Sequence, residues 1–179
     1  IETVMRGGNA LGVMPTGAGK SLCYQLPALF LPRATIVVSP LLSLMHDQTV
    51  KLEEAGVLAT HLDSTLTVKE ERQAIRDVKN GQSALVYVTP ERLENPEYLE
   101  ILKKGGVSLL VVDEAHCVSQ WGHDFRPAFL SIRKAIEYLG NPPVLALTAT
   151  ATPEVEKDIL EQLNIKNAKI ITQLKNGNS

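Results

Sequence analysis

Short runs of aliphatic residues recur along the chain at Ala10–Met14, Thr35–Ser39, Ala59–Asp63, Ala84–Thr89, Ser108–Asp113, Val144–Thr148 and Lys169–Thr172. Each is nearly continuous in hydrophobicity, the pattern of a strand buried on both faces. Longer amphipathic segments lie between them and predict helices at about 21–31, 42–55, 68–80, 96–104, 127–139 and 153–163. Several helix starts carry their own signals. Thr67 with Glu70 matches a capping box, and Asn95-Pro96-Glu97 and Thr152-Pro153-Glu154 each pair a capping side chain with proline at the first helical position. Phe129, Ile132, Ile136 and Leu139 recur at spacings of three and four, the stripe of a helix packed on a sheet. Strand–helix alternation of this kind predicts an α/β fold with a mainly parallel central sheet of about seven strands and helices on both faces. Ligands of such sheets gather at the carboxyl ends of the strands.

Composition narrows the class. The chain has 179 residues, enough for one domain with a substantial core, and its 44% hydrophobic and 21% charged content excludes a disordered or fibrous chain. No apolar run approaches the ~18 residues of a membrane span, and no secretory leader pattern is present, so no membrane partner is expected. Cys23 and Cys117 lack metal-ligand spacing and fit a reducing compartment. With 18 basic and 20 acidic residues the net charge is −2, so any nucleic-acid contact is expected to be local or shared with further chain. Ile1–Arg6 reads as the tail of a helix that stops at Gly7-Gly8, and residues 174–179 read as a polar linker stump. The expectation is one domain over residues 1–173, excised from a longer protein.

Two segments carry chemistry. Met14-Pro15-Thr16-Gly17-Ala18-Gly19-Lys20-Ser21 follows a strand and opens a helix. Small residues there let consecutive backbone N–H groups converge on phosphate oxygens, with the helix N-terminus adding a favourable dipole. Thr16, Gly17, Ala18, Gly19, Lys20 and Ser21 are thus the candidate nucleotide-binding residues, Lys20 reaching the terminal phosphates and Ser21 ligating Mg²⁺. The strict phosphate-loop pattern has glycine five positions before Gly19, where this chain has Met14. The second segment is Leu109-Leu110-Val111-Val112 running into Asp113-Glu114-Ala115-His116. Asp113 suits holding Mg²⁺, and Glu114 suits a general base for the water that attacks a γ-phosphate. Adjacent side chains of a regular strand point opposite ways, so convergence of the two carboxylates requires a bend at the strand end. His116 read by itself fits a structural imidazole as well as a catalytic one.

With Thr148-Ala149-Thr150 further on, these segments resemble the first motor domain of a superfamily 2 helicase. Met14–Leu26, Ser39–Gln48, Tyr87–Leu93, Asp113–Cys117 and Ser119–Pro127 resemble, more specifically, the RecQ family of DNA helicases. The resemblance implies a RecA-like phosphate-loop domain that uses ATP and Mg²⁺, with Lys20, Asp113, Glu114 and His116 as its catalytic group. It implies 3′–5′ movement on single-stranded DNA, unwinding of forked DNA, and a location in a bacterial cytoplasm or a eukaryotic nucleus. It also implies a second RecA-like domain in the full-length chain, supplying an arginine worth about 10³–10⁵ in rate in related nucleotide hydrolases. The family's adenine-recognising glutamine element and its zinc-ligating cysteines do not occur in these 179 residues.

The aromatic-rich stretch Trp121, His123, Phe125 and Arg126 lies within about a dozen residues of Glu114. Aromatic faces stack on unpaired bases for about 1–3 kcal/mol each, and arginine can meet a phosphate or a carboxylate. In the family this chain resembles, such a loop senses single-stranded DNA and switches on ATP hydrolysis. A packing alternative remains open from the residues themselves: Phe125 stands four before Phe129 and could extend its stripe, and Trp121 could be a core residue. Ser39, Pro40 and Ser43, and Thr89 and Pro90, follow strands and could hold DNA phosphates through hydroxyls and backbone N–H groups, or simply cap helices. Thr148 and Thr150 are expected to link the nucleotide state to domain movement. The alternatives to a DNA helicase are another superfamily 2 motor, such as an RNA helicase or a restriction-type translocase, and a non-catalytic docking scaffold.

Overall fold

The computed structural model describes residues 1–173 apart from Thr16, Ala18 and Lys166. The linker stump expected at 174–179 lies outside the described residues, as do two of the expected phosphate-loop positions. Among the described residues, seven strands and seven α-helices alternate: α1 (Glu2–Met5), β1 (Ala10–Val13), α2 (Leu22–Ala28), β2 (Ala34–Val38), α3 (Leu42–Glu54), β3 (Ala59–Leu62), α4 (Val68–Lys79), β4 (Leu85–Val88), α5 (Pro96–Gly105), β5 (Val107–Val112), α6 (Ile132–Tyr138), β6 (Val144–Thr148), α7 (Pro153–Gln162) and β7 (Lys169–Thr172). The strands form one sheet in the order β3-β4-β2-β5-β6-β1-β7, and every neighbouring pair is parallel.

The period of two along each strand divides the core between the two faces of the sheet. Leu11, Ile36, Val38, Val86, Val88, Leu110 and Val112 pack with α4–α7 residues such as Val78, Leu102, Ile136 and Ile159. Their neighbours Ala10, Val37, Leu85, Tyr87, Leu109 and Val111 pack on the other face with Val4, Tyr24, Ala28 and Met45 of α1–α3. The helix starts form as their sequence signals dictate. Thr67 accepts a bond from the Glu70 N–H while Glu70 returns one to the Thr67 N–H, and Asn95 and Thr152 accept from the Glu97 and Val155 N–H groups. At the packing of α5 on α4, a Cβ on Gly105 would stand 2.1 Å from the Val78 carbonyl oxygen.

Three expectations need correction. The helix expected over 127–139 is split into a 3-10 turn at Pro127–Ser131 followed by α6. The Ser131 hydroxyl bonds back to the Ala128 carbonyl at 2.7 Å and holds the tighter turn. The helix expected over 21–31 ends at Ala28, because Pro27 removes a donor and the next N–H groups reach only three residues back, Leu29 to Leu26 and Phe30 to Pro27. Strand β7 forms where expected, but all four of its residues are exposed, whereas β3 at the other edge of the sheet is largely buried. No helix of the described residues is long and apolar enough to cross a membrane.

Candidate active site

The loop after β1 is tied at its start. Met14 donates its N–H to the Thr148 carbonyl at 2.9 Å, which ties the loop's start to the end of β6. Gly17 and Gly19 lie at φ +83° and +79°, a region that only glycine enters freely, and a Cβ on Gly17 would meet open space. Met14, standing where the strict pattern has glycine, is not among the residues with positive φ. Its backbone therefore needs no glycine, and its sulfur packs against the Cys23 thiol at 3.7 Å. Lys20 and Ser21 sit where the loop enters α2.

Strand β5 delivers the acidic pair. Asp113 continues the strand's backbone pairing through its N–H to the Val38 carbonyl. Glu114 then adopts φ 55°, ψ 43°, a left-handed turn unusual for a residue with a side chain. This is the bend that convergence requires. The Glu114 Oε1 lies 3.8 Å from Lys20 Nζ, with the two side chains 24% and 18% exposed. Asp113 is 7% exposed, and its Oδ1 accepts the Glu114 N–H at 3.0 Å. Burial pushes the Asp113 carboxyl above the usual range, against the pull of Lys20, and the Glu114 charge adds to the rise. A buried carboxylate in that state, beside a lysine and an open glycine loop, is a donor set suited to a hard divalent cation and a polyphosphate.

His116 completes the cluster from a 3-10 turn at Ala115–Val118. Its Nδ1 lies 2.8 Å from Thr148 Oγ1, and Thr148 in turn donates to the Thr150 carbonyl at 3.1 Å. With that hydroxyl proton already used, the imidazole Nδ1–H is the donor to Thr148, which leaves Nε2 facing Glu114 Oε2 at 3.6 Å. Burial lowers the His116 pKa, so the ring is neutral near pH 7. Beneath the site, Tyr24 stands edge-on to Tyr87 with centroids 6.4 Å apart, and Gln25 bonds Gln48 at 2.7 Å, joining α2 to α3. All four lie within the segments that resemble the RecQ family, but no local pattern marks these contacts.

The aromatic segment forms an irregular loop folded back on the His116 turn, closed by the Arg126 N–H to the Cys117 carbonyl at 2.9 Å. Trp121 is 77% exposed, so the packing alternative fails for it. Phe125 is only half-buried and lies before the 3-10 turn at Pro127–Ser131, so it does not extend the stripe of Phe129 along a helix. His123 stacks on His116 with centroids 4.9 Å apart. Trp121, His123, Thr150 and His116 line one groove of about 340 Å³. The exposed Arg126 pairs with Asp124 at 3.4 Å.

A second groove, of about 490 Å³, brings Pro40 and Thr89 together with Arg92, which belongs to the Thr89–Arg92 segment expected to meet phosphates but whose own side chain had no expected role. Its signal was available: a cation two positions after the Thr89-Pro90 pair. Ser43 is exposed on α3. Ser39, Thr89, Pro90 and Thr148 are buried, though Thr89 lines the groove. The hydroxyl of Ser39 accepts the Leu41 N–H at 3.3 Å, and Thr148 is engaged with His116, so neither presents its side chain at the surface for a nucleic-acid strand. Thr16 and Ala18 lie outside the described residues.

A parallel sheet flanked on both faces, with a glycine loop and an acid pair at one rim, defines a nucleotide-binding α/β domain. The DEAD/DEAH box helicase family model matches residues 1–159, and the chain belongs to that family. It is 49% identical over 164 residues to the ATP-dependent DNA helicase RecQ of Bacillus subtilis, covering 91% of this chain and 28% of that protein. It is 42% identical to the RecQ-like DNA helicase blm-1 of Caenorhabditis elegans, covering 95% of this chain and 18% of that one. The chain thus spans about a quarter or less of these relatives' length. Among solved structures, the Hef helicase domain of Pyrococcus furiosus superposes with TM-score 0.68 at 22% identity, over 96% of this chain and 36% of that one. A hypothetical ATP-dependent RNA helicase from Sulfolobus tokodaii gives TM-score 0.73 at 21% identity, over 97% and 50%. At those identities the likeness speaks for the RecA-like fold.

Proposed function

We propose that residues 1–173 form the nucleotide-binding motor domain of an ATP-driven 3′–5′ DNA helicase that couples hydrolysis to movement along single-stranded DNA at forks. The observation that carries this reading is the 3.8 Å approach of Lys20 to Glu114 beside the buried Asp113. The similarity to RecQ helicases over nine-tenths of the chain supports the DNA substrate and a place in the cytoplasm or nucleus. The partner domain, a second RecA-like unit, belongs to the remainder of such a protein.

In this mechanism the Gly17–Ser21 loop receives the phosphates and Lys20 offsets their charge. Ser21 and Asp113 are the residues that would hold Mg²⁺, which when bound supplies Lewis-acid stabilisation of the phosphate oxygens. Glu114 accepts the proton of a water whose oxygen bonds the γ-phosphorus, while the bond to the β-bridging oxygen breaks and ADP leaves. His116 holds the Glu114 side of the site to Thr148. Trp121 and His123 meet the unpaired strand, and His123 carries that contact to His116 through the stacked rings. Pro40, Thr89 and Arg92 contact the strand's backbone.

The test uses the full-length protein. Lys20→Ala should abolish ATP turnover, and Glu114→Gln should keep nucleotide binding while cutting turnover by about 10²–10⁴. Single-stranded DNA should stimulate turnover more than RNA does. Unchanged turnover in Lys20→Ala would remove the motor assignment, and stronger stimulation by RNA would transfer it to an RNA substrate.

A further inference from the structure

At the opposite edge of the sheet, where β3 ends, three side chains from separate stretches of chain meet. His46 comes from α3, His61 from β3 and Asp63 from the turn that follows. One nitrogen from each histidine and one Asp63 oxygen all lie within 4.8 Å of one another. Asp63 Oδ2 is 2.7 Å from His61 Nδ1 and 3.5 Å from His46 Nε2. The carboxylate is wholly buried, whereas the imidazoles are 20% and 42% exposed. They border an open groove of about 310 Å³ between α3, β3 and α4.

The two oxygens of Asp63 are used differently. Oδ1 takes both the Thr65 N–H, at 2.8 Å, and the Thr65 hydroxyl, at 2.5 Å. Oδ2 is left to the two imidazoles. Burial alone would raise the Asp63 pKa, but the bonds from Thr65 and His61 outweigh it and keep the group a carboxylate. Because the Thr65 proton goes to Asp63, the 2.9 Å contact of Thr65 Oγ1 with His46 Nε2 has the imidazole as donor. Replacing that proton by a metal needs only a shift to the other tautomer, and the same is true of His61 Nδ1.

We propose that His46, His61 and Asp63 form a site for a divalent transition metal of zinc chemistry, with water from the groove as the fourth ligand. Two imidazoles and one carboxylate are a borderline-soft set that suits Zn²⁺ and disfavours Mg²⁺ or Ca²⁺, which take oxygen ligands. Tetrahedral ligands at about 2.0–2.1 Å from zinc stand about 3.3 Å from one another. The His46–Asp63 separation already matches, and the His61–Asp63 contact must open by about 0.6 Å. Thr65, bonded to the remaining carboxylate oxygen, orients the ligand from behind. Bound metal would tie α3 to the edge strand. The site stands five strand spacings from β1, about 24 Å, and is independent of the nucleotide reading.

The test is titration of the 179-residue chain with Zn²⁺ by calorimetry and with Co²⁺ by visible absorption, both in excess Mg²⁺. One equivalent should bind, with the intense visible bands of tetrahedral Co²⁺ and a rise in Tm on adding Zn²⁺. His46→Gln and His61→Gln should each weaken binding by about tenfold or more and remove the Tm rise, while Cys117→Ser leaves both intact. His46 is partly exposed on a helix, so its variant decides the matter should His61→Gln fail to fold. Absence of binding, equal binding by the histidine variants, or loss in Cys117→Ser (which would move the metal to the His116–Cys117–Asp124 cluster) each overturns the proposal.

Discussion

Asp113 is charged at a cost. Its folded pKa lies above its unfolded value, so it lowers stability increasingly as pH rises from the ordinary carboxylate range through the folded pKa, and the full penalty applies above that folded pKa. Asp113→Asn should therefore raise the Tm of the nucleotide-free chain, each kcal/mol recovered being worth about 2–4 °C. The same variant should lose the tightening of nucleotide binding that Mg²⁺ brings, measured by titration with and without the metal. His116 runs the other way. Its folded pKa is depressed by burial, so its contribution is complete above the ordinary histidine range and is lost as pH falls towards the folded value. Thermal melts of His116→Gln between about pH 7 and pH 5 should show a shallower loss of Tm than the parent; an identical slope would contradict the assignment. The positions of these two residues just after β5 were readable from the apolar run before them, while the part played by His116 was open between a structural and a catalytic imidazole. Their partners were not readable: Thr148 is 32 positions from His116, and His46 precedes Asp63 by 17. No local pattern records such contacts.

Strands and helix caps were legible because each rests on neighbours in sequence: a run of branched aliphatics, a Thr with a Glu three positions on, an Asn before Pro. What overturned parts of the reading acted across that range. Pro27 sits inside a hydrophobic stretch that otherwise continues the helical pattern, and the backbone change shows only in which carbonyls the later N–H groups reach. The exposure of β7 depends on what covers its faces, which its Lys-Ile-Ile-Thr sequence does not encode, for β3 at the other edge is largely buried. Gly105 is a further case, since it looks like an ordinary helix-ending glycine. The 2.1 Å approach of its absent Cβ to the backbone of α4 makes it a packing residue. Gly105→Ala should cost about 1–3 kcal/mol through the forced separation of α4 and α5. The check is a urea melt, where the midpoint falls with the slope unchanged. Because the clash is with a carbonyl oxygen, rearrangement of a side chain cannot relieve it.

Across the molecule, the loop after β1, the acid pair and the aromatic loop share one rim, joined by a chain of side-chain and backbone contacts. His123 stacks on His116, His116 bonds Thr148, and the Thr148 carbonyl receives the N–H of Met14. Trp121 stands outside that chain and faces solvent. Trp121→Ala should leave the Tm within about 1 °C of the parent, as for a surface substitution. In the full-length protein it should sharply reduce the stimulation of ATP turnover by single-stranded DNA, with turnover in the absence of DNA little changed. Equal stimulation in the variant would assign strand sensing to other residues.

Strand β6 lies between β1 and β5. It therefore acts as a gauge block: two steps of about 4.8 Å set the ends of β1 and β5, from which the lysine-bearing loop and the acid pair leave, nearly 10 Å apart, whatever side chains surround them. Sequence drift can retouch the walls of the site without altering that calibration, because the ruler is made of main-chain hydrogen bonds. A change that inserted or removed a residue at the end of β6 would miscalibrate both lips at once.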